Sequence, residues 1–144
     1  MSTMRLLSNR WIAAAALAFA AAGARAQAEL DTTPGLQAAR VWLAQMDAGS
    51  YGASYEGAAP ALRGVVTKIE WETDLERVRG PLGVVVGRKI RQAACTRGTP
   101  TDPEAEVCLI QYNTQFENRP LGDEQLTLLR GRDGAWRVAA YQLR

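Results

Sequence analysis

Gly80-Pro81 divides this chain into two stretches of different periodicity, and no other feature constrains its fold as strongly. Before it, apolar residues recur at helical intervals; after it, β-branched residues and alternation take over. Thr33-Pro34 reads as an N-cap followed by proline at the first helical position. Leu36, Ala39, Leu43 and Met46 then fall on one stripe, with Trp42 beside it, so a helix is predicted over Pro34–Ala48. Gly49 suits the position after its end. The next segment, rich in Gly, Ala and Tyr, predicts one or two short helical turns broken at Gly57 and Pro60. "TKIE", Thr67 to Glu70, is a capping box. The helix it opens places Trp71, Leu75 and Val78 on one face, until Gly80 ends it and Pro81 prevents its continuation.

Four strands are predicted beyond that point, over 84–97, 105–116, 124–131 and 135–143. Gly87 marks a bulge or bend in the first. Gly98–Glu104 reads as a loop, "ENRPLGD" as a second turn, and "RDG" as a tight hairpin. Helices followed by an antiparallel meander define an α+β domain, with the helices packed on one face of a curved four-stranded sheet. Ile110, Tyr112, Phe116, Tyr141 and Leu143 are assigned to one face, and Trp136 and Val138 to the other. That opposite face is left for long side chains or a partner, a second copy of the chain included.

Residues 1–26 read as a signal peptide. Arg5 and Arg10 precede the apolar run "WIAAAALAFAAA", and "ARA" at Ala24–Ala26 offers small residues for cleavage before Gln27. The run is short for a membrane span, a retained N-terminal anchor being the alternative. A single domain over 27–144, periplasmic or secreted, is expected. Without Arg5, Arg10 and Arg25 the formal charge of +2 falls by three to −1, which leaves no general field for nucleic acid. Cys95 and Cys108, the only cysteines, read as one disulfide across a hairpin in an oxidising compartment, with two free thiols as the alternative. No histidine is present, so no metal site and no cofactor are expected.

Several motifs occur in a fixed order. "VWLAQMDAGSY" is followed by "RGPLG" with Arg88 beyond it, then by "YNTQF" and finally by "DGAWRVAAY". From about Ala38 to Arg144 this succession resembles a bacterial family known as domain of unknown function 4019. The resemblance implies an exported protein with a cystatin-like or nuclear transport factor 2-like cone, and it carries over no catalytic residue. The hairpin with Cys95 and Cys108 departs from the family pattern.

Most catalytic chemistries lack their parts. A Ser-His-Asp triad needs an imidazole, and no phosphate-cradling or calcium-loop spacing occurs. Glu70, Glu72, Asp74 and Glu76 cluster on one helix and read as a solvated acidic face. Arg77, Arg79, Arg88, Lys89, Arg91 and Arg97 lie in a stretch with no acid. They read either as pairs with the acids of the helix or as a patch for an anion or acidic partner. Arg79 stands out, because in a last helical turn it can lock the corner between helix and strand. The candidate binding residues are therefore Arg79, Arg88, Trp71, Tyr112 and Trp136, the aromatics reading equally as core. The chain reads as a non-catalytic domain that binds an unidentified protein or small ligand. The alternative is a small cone-fold enzyme pairing an acid such as Glu76 with Tyr112 or Arg79.

Overall fold

A computed structural model describes residues 28–144; the signal-peptide reading of 1–26 and its cleavage site lie outside them. The order is β1 (Ala28–Leu30), α1 (Thr33–Asp47), α2 (Tyr51–Glu56), α3 (Pro60–Arg63), α4 (Lys68–Arg79), a 3-10 turn (Gly80–Leu82), β2 (Val85–Arg97), β3 (Glu106–Phe116), β4 (Arg119–Arg130) and β5 (Trp136–Leu143). The strands form one antiparallel sheet in the order β1-β2-β3-β4-β5. None of the described helices is long and apolar enough to cross a membrane.

Among the described residues the sheet has five strands rather than four. Ala28–Leu30, expected as a polar leader, pairs with Cys95–Arg97 on the free edge of β2. Three residues carry no readable periodicity, but Leu30 packs against the core and the edge supplies the hydrogen bonds. A second difference lies at 117–123. Phe116 pairs directly with Arg119, so the turn is only Glu117-Asn118 and β4 starts early. Backbone bonds from Glu117 to Val84 (2.8 Å) and from Asn118 to Leu82 (2.9 Å) tie this turn to the corner after α4. Gly83 makes that corner possible with φ +74°.

The inner face can be followed strand by strand. Cys95, Cys108, Leu128 and Val138 form one row; Ala93, Ile110, Leu126 and Tyr141 form the next; Ile90, Tyr112, Glu124 and Leu143 form a third. Trp136 and Val138 do not lie on the opposite face as expected. A register shift beside Thr127 and Leu128 inserts Ala139 as an extra residue and restores inward parity to Val138, which is 1% exposed. Fully burying Ile110, Leu126, Leu128 and Phe116 contributes roughly 1.5–3 kcal/mol each.

The α1 helix lies on this face through Ala39, Trp42, Leu43 and Met46. Its first turn crosses the Cys95–Cys108 disulfide so closely that a Cβ on Gly35 would collide with Cys108 Sγ. Thr33 is the first helical residue rather than the cap: Thr32 holds the cap position without a side-chain bond, and Asp31 accepts from the Thr33 backbone and hydroxyl. At α4 the capping box forms as predicted, between Thr67 and Glu70. The buried face of α4 is Leu75 and Arg79, however, while Val78 is 44% exposed. The reason is electrostatic: an acid waits for Arg79 beneath the helix end.

Candidate functional site

Asp47 is the last residue of α1, and Gly49 (φ +71°) turns the chain away just beyond it. Its carboxylate receives Arg79 Nη2 at 2.7 Å from the last turn of α4. Arg88, on the inner side of β2, grips the same carboxylate with both Nη atoms at 2.8 and 2.9 Å. The Nε of Arg88 donates to Glu124 Oε1 at 2.8 Å. Thr114 donates to that oxygen at 2.5 Å, and the Tyr141 hydroxyl donates to Oε2 at 2.6 Å. Glu124 is fully buried and Arg79 is 5% exposed, with its guanidinium 5.5 Å above the Phe116 ring. Two cations and two anions, one from each of α1, α4, β2 and β4, thus balance, with β3 and β5 adding the hydroxyls of Thr114 and Tyr141.

Burial works against the ionised Asp47, but the hydrogen bonds and charges of Arg88 and Arg79 outweigh it and hold its pKa below the ordinary carboxylate value. For Arg88 burial likewise opposes charge, and bonds to Asp47 with the field of Glu124 raise its pKa instead. Tyr141 is pushed upward by burial first and by the negative charge of Glu124 second. Every oxygen of Glu124 is occupied by a donor, so this acid is a structural anchor with no free lone pair facing solvent.

A groove of about 570 Å³ opens beside the cluster. One stripe of α1, including Leu36, Arg40, Leu43 and Asp47, forms one wall; Arg88, Ile90 and Tyr112 form the other. Its volume is in the range of small-ligand sites. Burial comes first among the causes that raise the Tyr112 pKa, and the hydroxyl stays neutral. Arg40 is exposed and forms no ion pair among the described residues.

The candidates from the sequence are divided between several places. Arg88 and Tyr112 line the groove, and Arg79 reaches it only through Asp47. Trp71 lies in the core cluster, donating to Ser54 Oγ at 3.0 Å beside Trp42. Trp136 borders a separate groove of about 420 Å³ with Pro34 and Val41. Glu76 is exposed on α4. Most cations of the stretch pair elsewhere than with the α4 acids. Arg77 does meet Asp74, whereas Arg91 meets Asp123 and Arg97 meets Glu106. Sequence reasoning missed Asp47 and Glu124 as partners, and Arg40 as a groove cation. Glu124 had a signal: it shares strand parity with Leu126 and Leu128. Among the described residues no three Cys, Asp or Glu side chains come together as a metal site.

Asp47, Arg79, Arg88, Thr114 and Tyr141 come from separate motifs along the chain and meet in this one cluster. Comparison with curated proteins finds no match to the chain. Residues 38–141 match a family described as protein of unknown function (DUF4019), and the chain belongs to that family.

Proposed function

We propose that this is a non-catalytic binding domain of the cell envelope or exterior, built as a cystatin-like or nuclear transport factor 2-like cone, which holds its ligand in the groove between α1 and β2. The observation that carries the reading is the groove itself: about 570 Å³, with Leu36, Leu43 and Ile90 as apolar wall and Arg40 as an unspent cation. The buried ion cluster gives that groove a rigid floor, because Asp47 and Arg88 are held from three elements. Proton transfer receives less support, since the buried acid that meets a tyrosine, Glu124, is fully occupied. The Cys95–Cys108 disulfide is compatible with export to an oxidising compartment.

A fragment library screened by amide chemical shifts on residues 27–144 tests the reading. Hits are expected to move Leu36, Arg40, Ile90 and Tyr112 and to be lost in Ala44→Trp, which fills the groove from an exposed position on its wall. Hits scattered over the surface, or unchanged in that variant, would refute it.

A further inference from the structure

The groove has a second property that a small-molecule site does not need: it runs along an open strand edge. Among the described residues, Cys95–Arg97 are the only three of the thirteen residues of β2 that are paired on the β1 side. Among the described residues no strand pairs with Val85–Ala94 on that side, which leaves about 30 Å of edge with unmatched backbone donors and acceptors. The chain itself demonstrates the use of this edge: β1 adds to it antiparallel and turns Leu30 inward onto the core. Past Leu30 the chain leaves the edge for α1, and the vacated track continues beside the groove.

We infer that the groove and the β2 edge together receive an extended acidic segment of a partner protein, which adds a strand to the sheet. This rests on the binding reading above and names the class of ligand. Backbone bonds to β2 would supply affinity, and alternate side chains would supply specificity. Inward apolar side chains of such a strand meet Leu36, Leu43 and Ile90. Its outward side chains meet Lys89 and Arg91, which flank the edge on the outer face. Lys89, on the outer side of the track, forms no ion pair among the described residues and selects acidic residues among the outward side chains; Arg40, on the groove wall, forms none either and adds a positive field that favours an acidic segment as a whole. Lys89 also disfavours a second copy, since antiparallel edge-to-edge pairing centred there would set this unpaired cation against its counterpart, whereas Arg88 and Arg91 are already matched by acids of their own chain. Bulges at Val86 and Arg91 further reject a flat, unselected strand.

The probe is a blocked octapeptide alternating valine and glutamate, with a valine–lysine octapeptide as control. On isotope-labelled residues 27–144 the acidic peptide is expected to shift and protect amides within Val85–Ala94, and the basic one to leave them unchanged. Arg40→Glu/Lys89→Glu is expected to weaken acidic-peptide binding at least tenfold with an unaltered Tm, both side chains being exposed. The inference is overturned if the peptide fails to bind at millimolar concentration, if the double variant binds equally, or if the basic peptide binds as well. Edge protection that rises with protein concentration alone would assign the edge to a second copy and overturn it too. Fragments that still occupy the groove when the peptide fails would leave the binding reading standing; failure of both would remove it.

Discussion

Asp47 sits where an acid is least favoured, at the C-terminal end of a helix whose dipole repels negative charge. Two guanidinium groups reverse that balance and lower its pKa, so the sign of its pH dependence follows. The folded-state pKa lies below the unfolded one, near 3.9. Its contribution is therefore complete above about pH 4 and is lost as pH falls through the folded-state value. Asp47→Asn should cost about 1–3 kcal/mol at pH 7, since it removes charge-assisted bonds from Arg79 and Arg88. In urea unfolding followed against pH, the gap between wild type and variant should close below pH 4. A constant gap would show that Asp47 is not ionised against these arginines. The two arginines were legible in the sequence because they stand in a cation-rich stretch and Arg79 ends a helix. Their acids were not. Asp47 precedes Gly49 and reads as part of a helix terminus, and Glu124 carries only the parity it shares with Leu126 and Leu128, which does not say that an acid at the start of a strand finds a buried cation.

At the scale of elements, the capping box of α4, the end of α4 at Arg79 and the Cys95–Cys108 hairpin follow from local chemistry and could be read directly, although the chain runs on from Gly80 as a 3-10 turn and reverses only at Gly83. What could not be read depends on contacts between distant segments. β1 exists because an edge 65 residues away accepts it, and Val138 points inward because one bulged residue shifts its parity. The disulfide joins β2 and β3 at directly opposed positions beneath the first turn of α1. It closes a loop of 13 residues, for which the chain-entropy estimate is about 3 kcal/mol. The Cys95→Ala/Cys108→Ala variant should lose about 2–4 kcal/mol in denaturant unfolding, the disulfide term being joined by the space the sulfurs leave under Gly35. A loss below about 1 kcal/mol would mean that the helix holds the hairpin without the bond.

For the whole molecule, one face of the sheet carries the helices and the core, while the other exposes a row of glutamines, Gln92, Gln111, Gln125 and Gln142, across four strands. The α+β class and the helix-covered face were legible, because element order and residue parity encode them. The ion cluster was legible only in part, because it gathers α1, α4, β2, β3, β4 and β5 and no single segment signals it. The functional consequence is an asymmetry in β2: one side pairs with β3 along its length, interrupted by two bulges, and among the described residues the other is open from Val85 to Ala94. Residue-resolved amide hydrogen exchange on the free, dilute monomer reads this asymmetry directly. Amides within β3 and β4 should exchange slowly throughout, whereas along Val85–Ala94 those facing β3 should be slow and those facing the open side fast. Uniformly slow exchange along Val85–Ala94 would mean that the edge is already covered, which contradicts an open docking track beside the groove.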